Sequence, residues 1–184
     1  MRGNRKIKTR VSKAAGANKR PVIAVCGAGS GAPELMSLAE EVGRALASAG
    51  AVLVCGGLGG VMEAAARGAR SAGGLTLGIL PGPDPEDANP WIQLAVATDM
   101  GHARNAIIVR TADALIAVGG EYGTLSEIAL ALKMRKPVVA LKSWDISSEI
   151  IQAPDAQTAV KLALEKSARP GRYSKRPGNN VKGA

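Results

Sequence analysis

A carboxylate set just inside a glycine turn is the first sign of chemistry in this chain. Glu127 closes the run Gly119-Gly120-Glu121-Tyr122-Gly123-Thr124-Leu125-Ser126-Glu127, which follows an apolar stretch at 114–118. That order reads as a strand, a tight loop and a helix whose pattern begins at Thr124. Successive backbone N–H groups and the positive end of the helix dipole meet at such a turn, which makes an anion site. Glu127 falls about one turn into the helix, close to whatever the turn binds. A turn that only holds phosphate has no need of an acid there, so the pattern implies chemistry as well as binding.

Two earlier segments repeat the device. Val-Ile-Ala-Val-Cys-Gly-Ala-Gly-Ser-Gly (22–31) and Ala-Val-Leu-Val-Cys-Gly-Gly-Leu-Gly-Gly (51–60) each join a strand to a helix through glycine. Short apolar runs at 22–25, 51–54, 75–80, 92–96, 114–118, 138–141 and 150–152 alternate with helical patterns at 34–48, 61–71, 103–111, 124–134 and 156–166. This alternation predicts a single Rossmann-like α/β domain, with a mostly parallel sheet of about seven strands sandwiched by helices. The loop at 81–90 is the longest, kept irregular by its Pro, Gly and Asp content.

In such a sheet ligands lie beyond the carboxyl ends of the strands, near the switch in strand order. The three turns should therefore line one crevice, with Gly27, Ser30, Gly56, Gly57 and Gly60 joining the third turn. Glycine is expected where a backbone approaching phosphate leaves no room for a Cβ. The plain alternative is three tight turns, but their recurrence on one edge favours a phosphate pocket.

Several pockets are excluded. A dinucleotide site needs G-x-G-x-x-G after the first strand and an acid ending the second. Here the first turn reads Gly27-Ala28-Gly29-Ser30-Gly31 and the second strand ends in Cys55. No G-K-S/T occurs, so a Walker-type nucleotidase is out. Asp99 and Glu63 are isolated carboxylates, and one histidine with two cysteines lacks metal-ligand spacing, so no metal is expected. Cys26 and Cys55 read as small apolar residues at the pocket edge. His102 reads as a packing or hydrogen-bonding residue at a helix start.

The chain has 184 residues, 46% of them hydrophobic, enough for one sizeable core. No apolar stretch is long enough to span a membrane and no signal-peptide pattern opens the chain, so a cytoplasmic protein is expected. The net charge of +9 raises nucleic acid as a partner. Yet eight of the 24 Lys/Arg lie in 1–20 and five in 167–184, neither segment holding an acid. The body at 21–166 keeps 11 basic residues against all 15 acids, a net of −4. Both tails lack apolar periodicity and read as disordered, with solubility as their expected role and a nucleic-acid arm as the alternative. The body has no Phe and few rings for base stacking: Trp91, Trp144 and Tyr122, with Tyr173 in the second tail.

The body resembles the Lonely-guy family of cytokinin-activating phosphoribohydrolases and its wider SLOG superfamily of Rossmann-like nucleotide-binding proteins. The family's P-G-G-Y-G-T-L-E-E lies without a gap on Gly119–Glu127, its second glycine turn resembles 56–62, and its H-x-R-K helix start resembles His102-Ala103-Arg104-Asn105. The resemblance implies hydrolysis of the N-glycosidic bond of a nucleoside 5′-monophosphate, AMP or a cytokinin-type nucleotide, without a required cofactor. It places the essential Arg and Glu on Arg104 and Glu127, with Arg104 expected to hold Glu127 ionised. Gly120, Gly123 and Thr124 would hold the 5′-phosphate, helped by Gly56 and Gly57. It also implies a homodimer or higher oligomer; the helices at 103–111 and 124–134 are apolar enough to cover the sheet and a partner subunit, with core packing alone as the alternative.

Gly119, Glu121 and Asn105 replace the family's Pro, Gly and Lys. Glu121 puts a negative charge in the turn that should receive phosphate, unless it points to solvent. This pattern is closer to the molybdenum-cofactor carrier proteins, so a non-catalytic binder of a nucleotide or of molybdenum cofactor is the alternative. A single-strand nucleic-acid-binding protein, acting through the tails, is a second.

Overall fold

The computed structural model describes residues 20–168; the two tails lie outside them apart from Arg20, Ser167 and Ala168. The seven strands are β1 (Val22–Gly27), β2 (Val52–Cys55), β3 (Leu75–Leu80), β4 (Leu94–Ala97), β5 (Ala114–Val118), β6 (Val138–Leu141) and β7 (Ile150–Gln152). The helices are α1 (Pro33–Ser48), α2 (Val61–Ser71), α3 (Asn105–Thr111), α4 (Tyr122–Lys133) and α5 (Ala156–Ser167). All strand pairs are parallel, in the order β4-β3-β2-β1-β5-β6-β7. The chain winds outward from β1 to β4, then crosses back to lay β5 on the other side of β1. That reversal opens a crevice at the carboxyl ends of β1 and β5.

Alternation within β1 shows how the sheet is covered. Ile23 and Val25 enter the core under α1, α2 and α5, while Ala24 and Cys26 enter the core under α3 and α4. Ile108, Val109 and Ile128 are fully buried in this second layer, with Ile107, Leu130 and Leu132 packed against it. The apolar faces of α3 and α4 therefore cover the chain's own sheet.

α1 and α2 pack backbone to backbone. A Cβ at Gly43 would lie 1.9 Å from the Ala65 carbonyl oxygen, and one at Gly68 would lie 1.9 Å from that of Glu40. Arg67 clamps the pair by donating to Glu40 Oε2 from Nε and Nη2, at 2.9 and 2.8 Å. Alanine is the better helix former by about 1 kcal/mol, but overlap with a backbone atom forces the helices apart at a larger cost, about 1–3 kcal/mol. Gly68→Ala is expected to lower unfolding free energy in urea by about 1 kcal/mol, the clash less the propensity gain.

Several boundaries differ from expectation by one or two residues, and four differences have a visible cause. β4 begins at Leu94, not Ile92, because the Thr76 hydroxyl donates to the Trp91 carbonyl (2.7 Å) and accepts from Gln93 N–H (3.0 Å), holding the segment before it as a turn. The single helix expected at 103–111 is a 3₁₀ turn, Gly101–Arg104, followed by α3. α4 begins at Tyr122, two residues before Thr124, because the sharp bend is complete at Gly119 and Gly120, which carry φ of 56° and 133°. Part of the loop at 81–90 is ordered as a 3₁₀ turn, Pro85–Asp87, capped by the Asp84 carboxylate accepting from Glu86 N–H at 2.9 Å. Among the described residues no helix is long and apolar enough to cross a membrane.

Candidate active site at the β1–β5 crevice

Strand β5 ends in the bend that starts α4. A Cβ at Gly120 would meet Thr124 Cγ2 at 2.6 Å, and the φ of 133° admits only glycine without strain. Glu121 follows in extended backbone as the N-cap, makes no side-chain cap and is exposed. Its charge is therefore screened by water rather than enclosed in the turn. The N–H groups of Tyr122, Gly123 and Thr124 have no acceptor within the helix, since Leu125 makes the first such bond, to Glu121 O at 3.0 Å. Thr124 is 2% exposed and its hydroxyl has no hydrogen-bond partner. A buried hydroxyl left unsatisfied beside unpaired N–H groups at a helix N-terminus suits an anion.

Glu127 lies one turn further on, 6% exposed, beneath the carboxyl end of β1. Burial raises its pKa to about 7; the charge of Arg104 and a hydrogen bond with Cys26 oppose that rise without cancelling it. Among the described residues no ion pair within 4.0 Å joins Arg104 to Glu127. The expectation that Arg104 keeps Glu127 ionised is thus corrected: at neutrality the carboxyl is poised between its two forms. Burial, then the charge of Glu127, push the Cys26 thiol well up. Burial raises Cys55 to about 12, although its sulfur accepts from Gly57 N–H at 3.4 Å. Both thiols stay protonated and unreactive at neutral pH.

Arg104 ends the Gly101–Arg104 turn, 8% exposed. Burial lowers its pKa, against the raising effect of Glu127 and Cys55. Its Nη1 donates to Asn105 Oδ1, its Nη2 lies 3.5 Å from the Gly56 carbonyl oxygen, and its Nε has no partner. A Cβ at Gly56 would stand 2.4 Å from Nη2. Glycine at 56 therefore makes room for the guanidinium rather than for a ligand.

The other glycines are likewise pressed by atoms of the protein itself. A Cβ at Gly27 would lie 2.5 Å from Val118 O, at Gly57 2.7 Å from Leu80 Cδ2, and at Gly60 2.4 Å from Ala28 O. Internal packing fixes these positions. Gly123 alone among the assigned glycines faces open space. Contacts nonetheless link all three turns. Gly60 touches Ala28 and Gly29 of the first, Gly56 touches Arg104, and Asn105 beside Arg104 reaches Gly123 of the third. Ser30 is exposed on the rim. His102 is exposed in the 3₁₀ turn, which leaves hydrogen bonding rather than packing from the expected pair of roles. Among the described residues no three His, Cys, Asp or Glu side chains converge.

Sequence reasoning missed two residues that build the crevice. Asn89, inside the loop at 81–90, donates from Nδ2 to the Gly57 and Leu58 carbonyls at 3.1 and 2.8 Å and so holds the second turn. An Asn before Pro90 was its only signal. Asn105, registered as a departure from a family pattern, is 4% exposed and central to the site.

Comparison with known proteins identifies the family and the fold. A protein of Archaeoglobus fulgidus without an assigned function is 55% identical over 147 residues, 80% of this chain and 97% of the relative. A cytokinin riboside 5′-monophosphate phosphoribohydrolase of Mycobacterium tuberculosis is 36% identical over 133 residues, 67% of this chain and 71% of the relative. Among solved structures, the molybdenum cofactor binding protein of Rippkaea orientalis superposes with a TM-score of 0.77 at 36% identity, covering 81% of this chain and 98% of that one. The family model of the SLOG cluster4 family matches residues 20–170. With that match spanning the whole crevice-bearing domain, the chain belongs to the SLOG cluster4 family.

Proposed function

We propose that this protein is a phosphoribohydrolase that cleaves the N-glycosidic bond of a purine-type nucleoside 5′-monophosphate. The observation that carries the reading is a buried Glu127, poised near neutrality, facing Arg104 beside an unsatisfied helix N-terminus. A site that only carries a ligand has no need of such a carboxyl.

The 5′-phosphate takes the N–H groups of Tyr122, Gly123 and Thr124 and the Thr124 hydroxyl, which sets the ribose over Glu127. As the C1′–N bond breaks, its electron pair leaves with the base and positive charge develops on the sugar. The Glu127 carboxylate stabilises that charge and takes a proton from the water whose oxygen bonds to C1′. The base gains a proton from solvent, and the products are free base and ribose 5-phosphate. Arg104 supplies a fixed positive charge to the substrate and favours the ionised form of Glu127. A positioned general base contributes about 10²–10⁴-fold to such a step.

A second reading is carriage of a pterin phosphate such as molybdenum cofactor, favoured by the likeness to the Rippkaea orientalis protein over 98% of that chain. One experiment separates the two: purified protein is incubated with AMP and with N6-substituted AMP, and base and ribose 5-phosphate are quantified. Equimolar, saturable release of both products is the expected result. No release, with a saturable thermal shift on adding a pterin phosphate, would replace the hydrolase with the carrier.

A further inference from the structure

Asn105 sits where the Gly101–Arg104 turn passes into α3, and its carboxamide is engaged at both ends. Oδ1 accepts from Arg104 Nη1. Nδ2 donates to Ser126 Oγ at 2.8 Å and lies 3.5 Å from the Gly123 carbonyl oxygen. Ser126 in turn donates to that carbonyl at 2.7 Å. In an α-helix the Gly123 carbonyl also accepts from the N–H of Glu127. One buried amide thus spans from the guanidinium to the turn of α4 that carries the carboxylate.

We propose that Asn105 is a positioning residue, whose side chain fixes the Arg104 guanidinium relative to Glu127 and locks both to the first turn of α4. Little else holds the guanidinium: its contact to Gly56 O is at the 3.5 Å limit of a hydrogen bond, and Nε has no partner. A long Arg stem freed from its acceptor samples many rotamers, and the attraction it exerts on a carboxylate falls with distance. The groups facing Glu127 are Cys26 on β1, Cys55 at the end of β2 and Arg104 on the turn before α3. Arg104 is the positive charge among them, so its placement sets how far the rise caused by burial is offset.

This assignment rests on reading Arg104 and Glu127 as the working pair of the site, but its test needs no turnover. The full chain is labelled with ¹³C at glutamate side-chain carboxyls and titrated by NMR, with Glu127 identified by its missing signal in Glu127→Gln. The wild-type midpoint is expected at about 7. Asn105→Ala is expected to move it up by at least about half a pH unit. Ser126→Ala, a change at an exposed residue, removes the other end of the link and is expected to move it up by about 0.3 unit. A purely structural Asn105 would lower the melting temperature and leave the midpoint where it is, which overturns the assignment. If Asn105→Ala does not fold, an unmoved midpoint in Ser126→Ala overturns it equally. Absence of base release from AMP would sink the hydrolase reading while leaving this titration to decide on Asn105.

Discussion

Glu127→Gln is expected to give a protein that releases no base yet melts higher than wild type at pH 8. The gain follows from linkage. The folded pKa of about 7 lies above the ordinary 4.5, so the folded state holds a proton that the unfolded state has already lost. Ionising Glu127 therefore weakens the fold progressively as pH rises from about 4.5 to about 7, and the full penalty persists above that window. A shift of this size corresponds to about 3 kcal/mol. Glutamine keeps the shape of the protonated acid and escapes the penalty. At pH 8 the variant should be more stable by about 3 kcal/mol, on the order of 10 °C in melting temperature for a domain this long. Below pH 4.5 the two proteins should converge. Equal melting temperatures at pH 8 would mean that Glu127 is neither buried nor perturbed as described.

Arg104→Met is expected to have the second largest effect, in the opposite electrostatic sense. Methionine fills much of the buried volume but supplies no charge. Glu127 then loses the positive partner that opposes its burial, its midpoint climbs further, and at pH 7 it is protonated and unable to accept a proton. The loss of a fixed charge at the reacting centre adds to this. Base release at pH 7 should fall by at least about 10²-fold, with the residual activity displaced to higher pH. Arg104→Lys should recover only part of the loss, because a point charge on a flexible stem does not reproduce the guanidinium fork against Asn105 and Gly56. A wild-type rate in Arg104→Met would remove this residue from the site.

These expectations draw on sequence and structure unequally. β3, β5, β6, β7 and α2 coincide residue for residue with what the sequence implies, since each is a mostly apolar run or a clear helical stripe between turn residues. The placement of Thr124 and Glu127 was legible too: three residues apart on a helix, they share a face, and both are buried. What burial does to Glu127 was not legible. Its pKa depends first on desolvation by the surrounding core, and a sequence with an Arg at the matched position suggests only the opposing charge. The glycines misled for a related reason. Gly27, Gly56, Gly57 and Gly60 stand at the expected turns, but the atoms that exclude a Cβ belong to Val118, Arg104, Leu80 and Ala28. All four are distant in sequence from the glycine they press on. Asn105 shows the same limit, because its value lies in reaching Ser126 and Gly123, about two turns of helix and a strand away along the chain.

The most direct test of the hydrolase is the pH profile of kcat/KM for adenine release from AMP by the full chain. That parameter reports ionisations of the free enzyme and free substrate. The second ionisation of the substrate phosphate falls near pH 6, about one unit lower. A single further step, rising with pH through about 7, with no adenine release from Glu127→Gln at any pH, is the expected result. Saturable AMP binding with no adenine released at any pH between 5 and 9 would contradict it, and would leave the crevice as a binding site without catalysis.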